Sequence, residues 1–142
     1  YIYFPDEGSM KRYGDLKCFK NCNIMVLYGK KIRIWKTGEI KGLKIYDFDD
    51  NRIDETLEKV LEGKTILMID DIISYGGTMY YSAKKLKDLG ANEIYAYATH
   101  VENSVLDKEK GTFIKVLEDN TVQQLFTSNT IYSGTHEKIQ II

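Results

Sequence analysis

The chain has 142 residues, a formal net charge of −1 and a pI of about 6.2. Hydrophobic residues make up 43% and charged residues 29%, as is typical of a globular domain with its own core. This charge gives no electrostatic basis for binding nucleic acid. No apolar run approaches the roughly 18 residues that cross a bilayer, and no signal peptide opens the chain, so we expect a cytoplasmic protein without membrane contact.

Short apolar runs separated by turn residues recur along the chain and predict alternating strands and helices. Strands are predicted at residues 2–4, 23–28, 42–48, 66–69, 93–99, 113–117 and 125–128. One helix is predicted at residues 54–61, with Asp54 as its N-cap and Gly63 at its end, and another runs from Thr78 to Gly90. This order indicates one α/β domain over residues 1–142, with three layers: a mostly parallel sheet with flanking helices.

Residues 30–38 carry four positive charges, and two interpretations stay open. The segment can be an edge strand and hairpin whose basic side chains are simply solvated. It can also be a mobile basic flap that neutralises the charge on a leaving diphosphate or a transferring phosphoryl group. The four charges are those of Lys30, Lys31, Arg33 and Lys36.

The most informative segment is 66–79, where two carboxylates and a glycine turn follow an apolar strand. Asp70 and Asp71 offer only acceptors, which suits a diol or a hydrated divalent metal. Glycines allow a tight turn whose N–H groups and following helix converge on an anion. A phosphate would be repelled by the carboxylates, so it is expected over residues 74–78. No nucleotide-binding loop of the G-x-x-x-x-G-K-[ST] or G-x-G-x-x-G type occurs.

Residues 69–78, Ile-Asp-Asp-Ile-Ile-Ser-Tyr-Gly-Gly-Thr, resemble the signature of type I phosphoribosyltransferases and of ribose-phosphate diphosphokinase (PRPP synthetase). The resemblance implies the type I phosphoribosyltransferase fold. It also implies that Asp70 and Asp71 bind the ribose hydroxyls. The 5-phosphate would then be held by Ser74, Tyr75, Gly76, Gly77 and Thr78.

Further segments are similar to the synthetase in the same order along the chain. Residues 4–12, Phe-Pro-Asp-Glu-Gly-Ser-Met-Lys-Arg, resemble its diphosphate loop, and residues 96–100 and 128–131 resemble two of its strand ends. Lys31-Ile-Arg33 matches a Lys-x-Arg in its basic loop, which implies that Lys31 and Arg33 are catalytic. The diphosphate loop would comprise Asp6, Glu7, Gly8 and Ser9.

The resemblance implies a homo-oligomeric enzyme that uses ATP, ribose 5-phosphate and Mg²⁺, with Asp6 and Asp70 as metal ligands, and makes PRPP. Because a synthetase has another domain of comparable size before this point, the chain is expected to be the C-terminal half of a longer protein. Two alternatives stay open. A phosphoribosyltransferase, moving ribose 5-phosphate from PRPP to a nitrogenous base, shares both loops, although residues 96–100 and 128–131 argue against it. A non-catalytic PRPP-binding regulatory module is the other.

The chain departs from the synthetase pattern at two adjacent positions inside the signature. Ser74 and Tyr75 stand where Asp-Thr is usual. Ser74 removes a carboxylate that could act as a base or a metal ligand, and Tyr75 places a bulky ring beside the phosphate. The main-chain donors of the loop are unaffected by either change. Binding is therefore the firmer expectation, and turnover is the one to test.

Overall fold

The computed structural model of the protein describes residues 1–56 and 58–142, without the side chain of Ile40. In chain order its elements are β1 (Ile2–Phe4), α1 (Glu7–Tyr13), α2 (Lys17–Asn21), β2 (Val26–Arg33), β3 (Ile40–Asp47), β4 (Thr65–Ile73), α3 (Gly77–Asp88), β5 (Glu93–Val101), a 3₁₀ turn (Asn103–Leu106), α4 (Phe113–Glu118), β6 (Gln124–Thr127) and β7 (Ile139–Ile141).

The strands form one sheet in the order β3-β2-β1-β4-β5-β6-β7. Neighbouring strands are parallel except β2 and β3, which form an antiparallel hairpin at one edge. The longest parallel pair is β4 with β5, from Thr65 opposite Glu93 to Ile73 opposite Val101. This arrangement confirms the predicted mostly parallel α/β fold, and it brings the carboxyl ends of β1, β4 and β5 to the same edge of the sheet.

Helices cover the sheet on both faces because the strands alternate their side chains between two cores. On one face, α3 and α4 pack on β4 and β5, with Met79, Leu86 and Phe113 fully buried. On the other face, Met10 of α1 packs with Phe4 of β1 and the start of β2. Beyond these helices the second face exposes a shallow apolar depression, lined by Leu67, Tyr95, Tyr97, Phe126 and Ile142.

The helix after the glycine turn follows its predicted periodicity. Met79, Ala83 and Leu86 of α3 are buried, while the lysines between them are partly exposed. Gly90, with φ of +98°, follows the end of the helix in the left-handed conformation that glycine adopts without strain. The register of this helix fixes which of its first residues face the carboxyl edge of the sheet.

Two predicted elements are wrong. Residues 113–117 form helix α4 rather than a strand, and this helix buries Phe113, Ile114, Val116 and Leu117. Residues 54–61 are not a helix: their described members form bends and a turn, and Leu57 lies outside the described residues. Asp54 does not cap a helix, because its carboxylate bonds to the Ile45 N–H and to the cations of Arg52 and Lys85.

Over residues 1–56 and 58–142, no helix is both long enough and apolar enough to cross a membrane. The longest helix described is α3, with 12 residues, and lysines interrupt its exposed face.

Candidate functional site

Residues 74–78, which connect β4 to α3 and are called the phosphate loop below, take their shape from main-chain contacts. The Tyr75 carbonyl accepts the N–H groups of Thr112 and Phe113 at 2.9 and 3.0 Å. Gly76 has φ of +82°, and a Cβ added there would lie 2.3 Å from the Phe113 Cβ. Only glycine fits this position, because the left-handed conformation and the neighbouring α4 both exclude a side chain.

The phosphate loop borders a cavity of about 200 Å³ at the carboxyl end of β4. Gly77 opens into free space, with no atom within 4 Å of the point where a Cβ would stand. The first turn of α3 has N–H groups without helical partners, and its positive end lies at this loop. The cavity therefore suits an anion the size of a phosphate. Its walls are formed by Asp70, Ile72, Ile73, Ser74, Gly76, Gly77, Thr78 and Met79.

Lys31 supplies a positive charge at the same place. It lies on β2, and its Nζ donates to the Thr78 Oγ1 at 2.9 Å, across 47 residues of sequence. Arg33 does not reach the loop, since its guanidinium donates to the Gly38 carbonyl at 3.1 Å within its own hairpin. The segment thus forms one arm and the turn of the β2–β3 hairpin, and one of its cations contacts the phosphate loop.

The two signature carboxylates occupy different environments. The pKa of Asp70 is raised to about 6, chiefly by burial; the charges of Asp6 and Asp71 add to the rise, and the Asp71 N–H bond and the Lys31 charge limit it. That N–H donates to the Asp70 Oδ1 at 2.8 Å. Asp71 is about half exposed and forms an ion pair with Arg12 of α1 at 3.0 Å. Asp70 is therefore the carboxylate whose charge a bound cation would stabilise most.

The predicted diphosphate loop lies between β1 and α1. The Asp6 carboxylate caps α1 by accepting the Ser9 N–H at 2.7 Å, and Glu7 pairs with Lys11 at 3.2 Å. Gly8 is exposed beside them. Asp6 follows β1 and Asp70 lies towards the end of its parallel neighbour β4, and the charge of Asp6 contributes to the raised pKa of Asp70.

The donors at this edge fit a magnesium ion that is bound partly through its substrate. Among the described residues, no group of three or more His, Cys, Asp or Glu side chains forms a metal cluster. Mg²⁺ is commonly held by one or two carboxylates together with water and substrate phosphates, rather than by a full protein cage. Asp6 and Asp70 match that requirement.

Sequence reasoning missed two contacts of the site. The hydroxyl of Ser74 donates to the Glu102 Oε2 at 2.9 Å and lies 3.0 Å from the hydroxyl of Ser104. Arg12 of α1, to which the sequence analysis assigns no role, donates to the Asp71 carboxylate at 3.0 Å. The register of β4 and β5 would have indicated the first contact, because Ser74 and Glu102 each follow directly after paired strand ends.

The two strand-end segments that resemble the synthetase contact each other. His100 of β5 lies 2.7 Å, Nδ1 to Oγ1, from Thr130, and the Ser128 hydroxyl donates to the Thr99 carbonyl at 2.6 Å. These bonds tie the segment after β6 to the end of β5. They give residues 128–131 a structural role beside the carboxyl edge.

The chain matches the phosphoribosyl transferase domain family over residues 31–131 and belongs to that family. A ribose-phosphate pyrophosphokinase of Staphylococcus epidermidis is 34% identical over 117 residues, which cover 78% of this chain and 35% of that protein. The corresponding protein of Pyrococcus abyssi is 40% identical over 74 residues, which cover 48% of this chain and 26% of that protein. The matched regions thus span only about a quarter to a third of these relatives.

Solved structures agree on the fold. The phosphoribosylpyrophosphate synthetase of Mycobacterium smegmatis superposes with a TM-score of 0.63 at 15% identity, covering 99% of this chain and 39% of that one. Adenine phosphoribosyl transferase of Trypanosoma brucei gives a TM-score of 0.53 at 13% identity, covering 99% and 63%. The type I phosphoribosyltransferase fold is confirmed, and so is the resemblance of the sequence to PRPP synthetases.

Proposed function

We propose that this domain binds ribose 5-phosphate and takes part in its Mg²⁺-dependent conversion to PRPP by diphosphate transfer from ATP. The observation that carries the proposal is the convergence of three groups on one edge: the phosphate loop, the carboxylates of Asp70 and Asp71, and the Lys31 ammonium. The names of the relatives support the same activity. In this proposal, residues 1–142 form the C-terminal half of a longer, oligomeric, cytoplasmic enzyme.

The proposed chemistry consists mainly of positioning and charge neutralisation. The anomeric hydroxyl oxygen bonds to the β-phosphorus of ATP, the bond from that phosphorus to the α-phosphate oxygen breaks, AMP leaves, and the hydroxyl proton passes to solvent. Asp70 and Asp71 hold the ribose hydroxyls, and the main-chain N–H groups at the start of α3 hold the 5-phosphate.

The cations have separate tasks in this mechanism. Lys31 exchanges its bond to Thr78 for one to a phosphate oxygen, which brings positive charge to the reacting groups. Arg33 has to leave the Gly38 carbonyl to join it, which an exposed side chain does at little cost. Asp6 and Asp70 would hold Mg²⁺, which would supply further charge neutralisation when bound.

The reaction test uses the full-length protein with ribose 5-phosphate, ATP and Mg²⁺, and measures AMP and PRPP. Formation of both supports the proposal. Base-dependent release of diphosphate from PRPP, without AMP formation, would assign a phosphoribosyltransferase instead. Binding of PRPP without either reaction would assign a regulatory module.

The residue roles are tested by substitution. Asp70→Ala and Asp71→Ala should weaken ribose 5-phosphate binding about tenfold or more, since each removes a charge-assisted hydrogen bond. Asp49→Ala, at an exposed carboxylate on the β3 side of the sheet, is the matched control and should leave the affinity unchanged. Unaltered affinity in both site variants would overturn the ribose assignment.

A further inference from the structure

The side chain of Glu102 accepts the hydrogen bond that a hydroxyl of the phosphate loop donates. Glu102 follows β5, and its Oε2 accepts the Ser74 O–H at 2.9 Å. The Ser104 hydroxyl lies 3.0 Å from the Ser74 oxygen and 3.4 Å from the same Glu102 oxygen. The Glu102 N–H donates to the Ile73 carbonyl at 2.9 Å, so main-chain and side-chain bonds together fix this carboxylate beside the loop.

This bond decides what Ser74 offers to the cavity, since a serine hydroxyl has one proton and two lone pairs. Ser74 lines the cavity, and its proton points to Glu102. The hydroxyl therefore presents lone pairs to a ligand rather than a donor. A phosphate oxygen needs a donor, so this wall opposes the anion that the α3 terminus attracts.

The negative charge of Glu102 also opposes the binding of a phosphate in this cavity. The residue is only half-buried, so its charge is partly screened, but it lies one hydrogen bond away from the cavity wall. A phosphate monoester carries close to two negative charges above a pH of about 6. The repulsion is therefore greatest for the dianion. The Lys31 ammonium, bonded to Thr78 of the same loop, can offset this repulsion.

We infer that Glu102 is a specificity-determining residue: through Ser74 it makes the phosphate loop bind a dianionic phosphate monoester weakly unless that charge is balanced by a cation. This inference rests on the proposed function, because it assumes that the ligand phosphate lies in this cavity. Glu102 acts through Ser74 and contributes no direct contact to the ligand. The expected occupant is a sugar phosphate paired with Lys31 or with a metal ion.

Glu102→Gln removes the negative charge and places an amide NH₂ donor within reach of the Ser74 oxygen. When that NH₂ donates to Ser74, the hydroxyl proton becomes free to bind the phosphate. At pH 8 and without Mg²⁺, this variant of the full-length protein should bind ribose 5-phosphate at least fivefold more tightly than the parent, by titration calorimetry. Glu109→Gln, at an exposed acid far along the next loop, is the control for general charge removal.

A double-mutant cycle separates this mechanism from a general field effect. In a Ser74→Ala background, where no hydroxyl remains to be released, only the partly screened charge effect of Glu102→Gln is left, so the affinity should change less than twofold. The inference would be overturned if Glu102→Gln increased the affinity equally in both backgrounds, or if it did not increase the affinity of the protein that retains Ser74. If thermal unfolding shows that the glutamine variant is not folded, Glu102→Met replaces it, because methionine removes the same charge and carries the same expectation.

The two proposals fail differently. If the parent binds ribose 5-phosphate but the Glu102 variants do not differ from it, only the role of Glu102 is lost. If neither the parent nor any variant binds ribose 5-phosphate, with or without Mg²⁺, the proposed function is wrong and the inference falls with it.

Discussion

Replacing Gly76 by alanine tests how rigidly the phosphate loop is built. Gly76 has φ of +82°, and the new methyl group would lie 2.3 Å from the Phe113 Cβ and 3.3 Å from the Ile73 Cγ2. Phe113 is fully buried and cannot move aside without moving α4. The main chain of Phe113 also donates to the Tyr75 carbonyl, so a shift of α4 would break a bond that shapes the loop.

The cost can be worked out from these two effects. An alanine held in the left-handed region costs about 1–2 kcal/mol. Forcing an extra methyl into a packed site typically costs about 1–3 kcal/mol. The free energy of unfolding should therefore fall by about 2–5 kcal/mol, and ribose 5-phosphate binding should be lost with the loop geometry. Urea unfolding at pH 7.5 and calorimetric titration measure the two quantities.

Gly77→Ala is the matched control at the neighbouring position. Gly77 has no positive φ and no atom within 4 Å of its Cβ site, so stability should change by less than about 0.5 kcal/mol. The free space belongs to the cavity, so ligand binding should nevertheless weaken. A loss of stability below 1 kcal/mol for Gly76→Ala, or equal losses for both variants, would refute the reasoning.

Three further predictions concern charged groups. The pKa of Asp70 is raised to about 6, chiefly by burial, so its ionisation lowers the free energy of unfolding as the pH rises from about 4 through 6. Asp70→Asn removes that cost. It should stabilise the protein by about 1–2 kcal/mol at pH 7.5, allowing for partial exposure, and hardly at pH 3.5. Burial opposes the charge of Asp54, but bonds from Arg52, the Ile45 N–H and Lys85 prevail and lower its pKa. The contribution of Asp54 to stability is therefore lost as the pH falls through that lowered pKa. Asp54→Asn should lower the free energy of unfolding by about 3 kcal/mol at pH 7, measured by urea unfolding. With Mg²⁺ present to balance the phosphate charge, Lys31→Met should lower the PRPP-forming rate about 100-fold with little change in ribose 5-phosphate affinity.

Specific outcomes would contradict each of these. Equal stability of the Asp70→Asn protein and its parent at pH 7.5 would mean that burial does not destabilise the ionised carboxylate of Asp70. A loss under 1 kcal/mol for Asp54→Asn would show that its two cations are satisfied by water. If Lys31→Met abolished binding in the presence of Mg²⁺ instead of lowering turnover, the metal ion would be unable to replace the ammonium in balancing the 5-phosphate.

The part of the fold around the signature could be predicted because local patterns and packing agree there. The apolar run of β4, the 3.6-residue period of α3 and the glycine at its end each indicate the same element. The run at residues 113–117 was ambiguous, because five mostly apolar residues fit a short strand as well as a buried helix turn. The helix is favoured because the N–H groups of Thr112 and Phe113, at its start, bond to the Tyr75 carbonyl, 37 and 38 positions away.

The composition of the site was predictable, but its connections were not. The signature placed Asp70, Asp71 and the phosphate loop together because they are adjacent in sequence. The bonds of Lys31 to Thr78, of Arg12 to Asp71 and of Ser74 to Glu102 join residues 47, 59 and 28 positions apart. Such contacts depend on strand order and register, which no local pattern contains. Asp54 was misassigned for the same reason, since its partners come from β3 and α3.

The phosphate loop is held by the carbonyl of Tyr75, while the ring of that residue is 40% exposed. Main-chain atoms are the same in every amino acid except for the missing proline N–H, so mutation can change this side chain without altering the fold of the loop. Position 75 is thus free to diverge, whereas position 76 is not. Searches that require a small residue before the two glycines will overlook proteins of this kind, and searches weighted on the glycines will retain them.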